Sequence, residues 1–321
     1  MASGPIGFGY RVEQYNSTWD QLVRTAVLAD ELGYDGIWLN DHFVPDPISG
    51  RYEASTFECW TSAAALATLT TNARIGFMTL CNLYRPPSIA AKMATVLDVM
   101  SNGRVDFGIG AGWHEDEFRM FGIDYPSGGR RLDHLVEGLE IIKGMFTNER
   151  FSYTGDIYRV EDVYNNPRPL QHPHPPIWIG GGGEKRTLRI VAQYADWHNL
   201  VVTALPEFKR KMEILDAHCE DLGRDPTTLG RSLNPSLLLR ETDAEFDKYA
   251  AERARKRGIT TNEYLTLLES QGTIFGGPER VAAMLQGFVD AGCTYFEFIV
   301  REAEQERPLR LFAAQVMPKF R

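Results

Sequence analysis

The sequence predicts an α/β protein of the (β/α)8 class, a TIM barrel with insertions after its fourth and seventh strands. Three observations carry this. Strand and helix signals alternate along the 321 residues until eight strands have each been followed by a helix. No Pro/Gly/Ser-rich linker or block of like charge divides the chain, so residues 1–321 read as one domain. The connections are short, which suits a closed barrel better than the alternative, a doubly wound open sheet.

The elements follow in order. Ile6–Tyr10 is a short apolar strand. Ser17 or Thr18 caps a helix with apolar Trp19, Leu22, Val23, Ala26, Val27 and Leu32, and Gly33 stops it. Gly36–Leu39 is the second strand, and a helix over Glu58–Leu69 leads to the third at Ile75–Leu80. Pro87 suits the first turn of the next helix, where Ile89, Met93, Val96, Leu97 and Met100 recur by threes and fours, and Gly103 suits its stop. Val105–Ile109 is the fourth strand. The strand–helix–strand unit from Ile75 to Ile109 makes its two strands parallel.

The first insertion holds a short helix after Gly112, a longer one over Arg130–Phe146, and a hairpin through Phe151–Tyr153 and Tyr158–Val160. Ile177–Ile179 is the fifth strand, followed by glycines and a helix over Lys185–Tyr194. Asp196–Val201 is the sixth, with a helix over Pro206–Leu222. Ser232–Leu239 is the seventh. Helices over Asp243–Arg257 and Thr261–Ser270 form the second insertion. A helix over Arg280–Ala291 precedes the eighth strand, Tyr295–Val300, and Pro308–Val316 is the last helix.

Composition narrows the function. The apolar share of 43% and charged share of 24% are those of a globular protein. Forty-three acidic against 34 basic residues give a net charge of −9, which argues against nucleic acid or an anionic membrane as the main partner. No run of 18 apolar residues is present, and MASGPIGFGY lacks the charged-then-apolar pattern of a secretion signal. Cys59, Cys81, Cys219 and Cys293 are scattered without a C-x-x-C pair, so reduced, buried thiols in a cytoplasmic protein are expected. No metal site is expected. His172-Pro173-His174 precedes the fifth strand, on the rim away from catalysis.

In a (β/α)8 barrel the site lies at the C-terminal ends of the strands. There the sequence sets Asn40-Asp41-His42 after strand two and Met78-Thr79-Leu80-Cys81-Asn82 at strand three. Gly110-Ala111-Gly112-Trp113-His114 follows strand four, and Gly180 to Gly183 follow strand five. His42 is the candidate for acid–base work, since an imidazole titrates near neutrality. Asp41 suits a cofactor edge or the orientation of a neighbour. Gly180, Gly181, Gly182 and Gly183 before a helix suit a phosphate, with Lys185, Arg186 and Arg189 adding charge. Trp113 suits a ring stack. Glu115, Asp116 and Glu117 open a helix where acidic residues favour the dipole, so Glu117 reads as structural. Gly108-Ile-Gly110-Ala-Gly112-Trp113 lacks the third glycine of a dinucleotide fingerprint, and no G-x-S-x-G or H-E-x-x-H favours a hydrolase.

These residues, taken together, resemble the luciferase-like monooxygenase superfamily of flavin and deazaflavin enzymes. The carriers are Leu39-Asn-Asp-His-Phe43, Tyr84-Arg-Pro-Pro87, Leu97-Asp98 with Ser101-Asn-Gly-Arg104, Gly108-x-Gly-x-Gly-Trp113 with Glu117, and Pro176-Ile-Trp-Ile-Gly-Gly-Gly-Gly183 with Ala195-Asp196-Trp197. The resemblance is nearest to the branch using coenzyme F420, a deazaflavin with a phosphodiester and oligoglutamate tail. It implies hydride transfer between F420 and a small organic substrate. The alternatives are an FMN-dependent monooxygenase and a flavin-binding protein without turnover.

By the same resemblance Asp41 matches a cofactor-contacting aspartate and His42 the proton-exchanging histidine. Phe77, Met78 and Thr79 match a segment lying against the deazaflavin, often with a non-proline cis peptide. Gly110, Gly112, Trp113, Asp116, Gly182 and Gly183 match positions lining the cofactor. Where sugar-phosphate dehydrogenases of this branch carry a second catalytic glutamate, this chain has Trp113, so a more apolar substrate is expected. The expected assembly is a homodimer acting on a small molecule.

Overall fold

The computed structural model describes residues 5–45, 52–201, 203–300 and 304–321. Eight parallel strands form its centre: β1 (Gly7–Arg11), β2 (Gly36–Leu39), β3 (Arg74–Phe77), β4 (Val105–Gly110), β5 (Ile177–Gly180), β6 (Trp197–Val201), β7 (Gly230–Asn234) and β8 (Tyr295–Ile299). They pair in the order β3-β2-β1-β8-β7-β6-β5-β4, and Ile75 opposite Val105 joins β3 to β4 and closes the barrel. The predicted fold class holds, with both insertions where the sequence set them.

Helices α1 (Trp19–Glu31), α2 (Cys59–Leu69) and α3 (Pro87–Met100) cover β1 to β4. Thr18 is the cap of α1, in a reciprocal box with Gln21. The first insertion contains α4 (Glu115–Met120), α5 (Gly128–Thr147) and an antiparallel hairpin of Arg150–Thr154 with Arg159–Tyr164. Then come α6 (Thr187–Tyr194) and α7 (Leu205–Asp221). The second insertion contains α8 (Asp243–Arg257) and α9 (Thr261–Ser270), and α10 (Pro278–Asp290) and α11 (Glu306–Gln315) end the chain. The four cysteines are free and buried, as expected.

Three sequence expectations need correction. The seventh strand does not run to Leu239. Pro235 has no N–H to donate, and beyond it Leu237–Leu239 leaves the wall to pair with Ile274–Gly276. The third strand stops at Phe77, and Leu80–Cys81 pairs separately with Ile109 and Gly110. Of the predicted apolar positions of α3, Leu97 is buried and Met93 packs partly against the core, but the other three do not face the barrel. Ile89, Val96 and Met100 are exposed, and the buried face is Ala90, Ala91, Ala94, Thr95 and Leu97, small residues that let the helix lie close.

The barrel is stoppered from below. Trp38, Trp178 and Tyr295 are buried inside it, and Trp197 stacks on Trp178 with centroids 4.5 Å apart. Glycines make the room: a Cβ on Gly76 would stand 2.3 Å from the Trp38 ring, and one on Gly230 2.2 Å from the Trp197 ring. Above the aromatics lies a polar layer in which Asn199 Nδ2 donates to Ser232 Oγ and to Glu297 Oε2, each at 2.9 Å. Burial pushes the Glu297 carboxyl well above the usual range, against the bonds from Ser232 and Asn199.

Candidate active site

Above that layer a cavity of about 830 Å³ opens at the C-terminal rim. Ligand pockets typically measure roughly 300–1,000 Å³, so there is room for a ring system together with a small molecule.

Asp41 and His42 follow β2, where Gln14 clamps Asn40 by accepting from its N–H at 2.6 Å and donating to its carbonyl at 3.0 Å. Asp41 Oδ2 accepts from the Cys81 N–H at 3.0 Å and from Arg85 Nη1 at 2.7 Å, and Arg85 Nη2 donates to Glu58 at 2.9 Å. Burial pushes the Asp41 carboxyl up, against the Arg85 guanidinium and the Cys81 N–H. Among the described residues its Oδ1 has no hydrogen-bond partner, and it faces the demand for one that a buried oxygen carries.

His42 is held by Glu117. The Glu117 side chain is fully buried, and its Oε2 lies 2.8 Å from His42 Nδ1. Oε2 also accepts from the Tyr84 hydroxyl, and Oε1 accepts from the N–H groups of Phe43 and of Val44, the latter at 3.1 Å. Burial opposes charge on Glu117, but the bonds from His42, Tyr84 and Phe43 outweigh it and hold the carboxyl below its ordinary value. An ionised carboxylate only accepts, so Nδ1 carries the proton and Nε2 is left as the ring atom for the cavity. His42, His114 and Glu117 offer atoms within 4.8 Å of one another, a spacing a metal ion could use. Both Glu117 oxygens are already engaged by donors.

The structure places the other predicted residues in two groups. On the cavity wall with Asp41 and His42 are Met78, Thr79, Gly110, Gly112, Trp113, Gly180 and Gly181. The Met78–Thr79 peptide is cis. Thr79 explains two of the glycines: a Cβ on Gly110 would stand 2.8 Å from its Oγ1, and one on Gly180 2.7 Å from its Cγ2. Trp113 is 56% exposed and meets His42 edge to face at 5.6 Å.

Off the wall are Phe77, Asp116, Gly182, Gly183 and Lys185. Phe77 packs outward on Trp60, centroids 4.6 Å apart. Asp116 accepts from Tyr52 Oη at 2.9 Å and Arg119 Nη2 at 3.0 Å. The glycine loop is fastened by its carbonyls: Gly181 O to His198 Nε2 and Gly182 O to Lys211 Nζ, each at 2.8 Å. Burial pushes His198 down to about 4, so it is a neutral donor there. Lys185 is exposed, and Arg186 is engaged with Gly129 O and Asp133 at 3.0 and 2.6 Å.

Sequence reasoning passed over the clasp of Glu117 on His42, and the floor and far wall. Asn199 and Asn234 line the floor, and Asn199 Oδ1 and Asn234 Nδ2 are buried without partners among the described residues. Tyr249, Arg253, Arg257 and Tyr264 come from the second insertion. The one available signal was the spacing of Arg253 and Arg257, one helical turn apart.

A closed parallel barrel with a clasped histidine in its C-terminal cavity is an enzyme of the (β/α)8 class, and its likeness to known proteins makes it an oxidoreductase. The chain belongs to the luciferase-like monooxygenase family, whose model matches residues 5–295. It is 26% identical to the F420-dependent glucose-6-phosphate dehydrogenase of Amycolatopsis mediterranei, over 98% of each chain. It is 28% identical to the FMNH(2)-dependent dimethylsulfone monooxygenase of Pseudomonas putida, over 52% of this chain and 45% of that one. Among solved structures, an F420-dependent secondary alcohol dehydrogenase with an F420-acetone adduct superposes with a TM-score of 0.83 at 18% identity, over 99% of this chain and 100% of the other.

Proposed function

We propose that this protein is an F420-dependent oxidoreductase that moves a hydride between the deazaflavin and a small organic substrate. The observation that carries the reading is the His42–Glu117 pair, which fixes an imidazole on the cavity wall. Relatives named as F420-dependent along the whole length support it.

The residues fit such a cofactor. The cavity has the volume for a tricyclic head, and Asp41 Oδ1, Asn199 Oδ1 and Asn234 Nδ2 are buried polar atoms that need partners. Gly181, at φ +129°, holds a backbone conformation that side chains resist, beside the helix α6 that would face a phosphate. When bound, F420 supplies the carbon that takes or gives the hydride. The chain's residues do the rest. Asp41 and the floor amides hold and orient, Trp113 shields the reacting face, and His42 Nε2 takes the proton lost by a substrate hydroxyl as it becomes a carbonyl, or returns it in the reverse direction. Leu80, Leu132, Leu135 and Leu237 on the wall favour an apolar substrate body.

Titration of the purified protein with F420 and with FMN in one buffer, followed by fluorescence quenching, tests this. Tighter binding of F420 is expected. Tighter binding of FMN would replace the reading with that of a reduced-flavin monooxygenase, which the similarity to the dimethylsulfone enzyme favours.

A further inference from the structure

The cavity floor is polar, and its acid, Glu297, has no part in the proton chemistry of His42. Residues two apart on a strand point to the same side. Trp197 and Tyr295 belong to the aromatic stopper. Asn199 and Glu297, two residues further along β6 and β8, therefore stand inside the barrel one level higher. On β7, between those strands, Ser232 lies in register with Asn199 and with Tyr295, and Asn234 is two residues on. Asn199, Ser232, Asn234 and Glu297 are all buried.

The hydrogen bonds fix which way the Asn199 amide faces. Its Nδ2 carries two hydrogens, and these go to Ser232 Oγ and Glu297 Oε2. A carboxylate accepts at Oε2, and so does a carboxyl group protonated on Oε1. Turning the amide over would set one acceptor against another. What Asn199 has left is a carbonyl. It lines the cavity, and its Oδ1 is buried without a partner among the described residues. Asn234 lines the cavity beside it and has the opposite need, since its Nδ2 is a buried donor without a partner among the described residues. Buried polar groups left unmatched are costly, so this part of the floor calls for a ligand that brings a donor and an acceptor side by side.

We propose that Glu297 is a positioning residue that holds Asn199 as an acceptor, and that Asn199 Oδ1 and Asn234 Nδ2 form a subsite for a cyclic imide or lactam edge, in which an N–H stands beside a C=O. The ligand N–H donates to Asn199, and the ligand carbonyl accepts from Asn234. A carboxylate, which only accepts, fails at Asn199, and an ether or ketone leaves Oδ1 unmatched. Two sources carry such an edge: the pyrimidinedione ring of a deazaflavin, or the substrate. The first source rests on the F420 reading above, and the second does not.

Two pairs of probes test this on the full chain. One is 5-deazariboflavin and its 3-methyl derivative, which keeps the ring and both carbonyls but lacks the N–H. The other is glutarimide and N-methylglutarimide, titrated calorimetrically into the cofactor-free and the F420-loaded protein. A site built around an N–H rejects the analogue without it, so one N–H probe should bind wild type about tenfold or more tighter than its methylated partner. In Asn199→Ala and Glu297→Met that ratio should fall to about one, through weaker binding of the N–H probe alone. Glu297→Gln keeps the shape and lets the two amides pair in either direction, so its ratio should lie between. Circular dichroism and Tm confirm folding, and a loss of packing alone would weaken both members of a pair alike. Discrimination within the deazaflavin pair assigns the subsite to the cofactor ring. Discrimination within the imide pair only, on loaded protein, assigns it to the substrate. Equal binding within both pairs by wild type overturns the proposal, as does a ratio that survives in Asn199→Ala. A ratio unchanged in both Glu297 variants overturns the positioning role. Should F420 fail to bind the wild type, the hydride-transfer reading falls while the imide pair on the cofactor-free chain still decides the subsite.

Discussion

The two halves of the cavity rim are built in opposite ways. After β2 to β4, charged groups are buried and matched: Arg85 spans Asp41 and Glu58, and Glu117 collects four donors from His42, Tyr84, Phe43 and Val44. After β5 to β7, the rim is made of glycines fastened by their carbonyls and of arginines that rest on tyrosines. A group whose protonation and angle must be fixed needs partners already in place. On the proposed reading, proton chemistry belongs to the first half and much of the recognition to the second.

The sharpest way to break that division is His42→Ala. Removing a positioned acid–base group costs about 10²–10⁴-fold. Turnover should fall by that much while F420 affinity, from fluorescence quenching, stays within twofold. Steady-state rates equal to the wild type would move the proton chemistry elsewhere.

Glu117→Gln should have the next largest effect, about 10–10²-fold on turnover, because an amide cannot accept from all four donors and the imidazole loses its fixed tautomer. A stability measurement adds a signature that mere packing loss lacks. The Glu117 carboxyl is lowered in the folded state from its ordinary value of 4.5. A lowered carboxyl contributes stability in full above its unfolded value and loses it as pH falls through the folded one. The Tm gap between wild type and Glu117→Gln should therefore narrow from pH 7 to pH 3. A constant gap would mean that the charge does not matter.

The smallest effect belongs to Lys185→Ala with Arg186→Ala. Lys185 is exposed and Arg186 already has Asp133, so F420 affinity and its dependence on salt should change by less than about twofold, as exposed charges are screened beyond about 10 Å at 0.1 M. A larger change would sharpen the comparison by extending the receptive half of the rim along α6.

Much of this was legible in the sequence, for reasons that are themselves physical. Parallel strands buried on both faces read as short apolar runs, and caps such as Thr18 and stops such as Gly33 mark the helices between them, so all eight barrel strands stood out. Asp41 and His42 were visible because the barrel fixes which strand ends face a ligand. The side of α3 that packs inward was not, since Ala90, Ala91 and Ala94 win their place by being small rather than by being the most apolar. Glu117 looked like an ordinary first-turn acid. Its clasp on His42 joins residues 75 apart in sequence and exists only after closure of the barrel. The arginines of α8 lie in an insertion, where charged spacing alone does not say which face meets the cavity.

The aromatic stopper has a kinetic meaning. With Trp38, Trp178, Trp197 and Tyr295 filling the lower barrel, the chamber above them is floored, and it opens at the C-terminal rim. A molecule bound on Asn199 and Asn234 would have to arrive before, and leave after, one bound above it, so an ordered rather than a random binding scheme is expected in initial-rate kinetics.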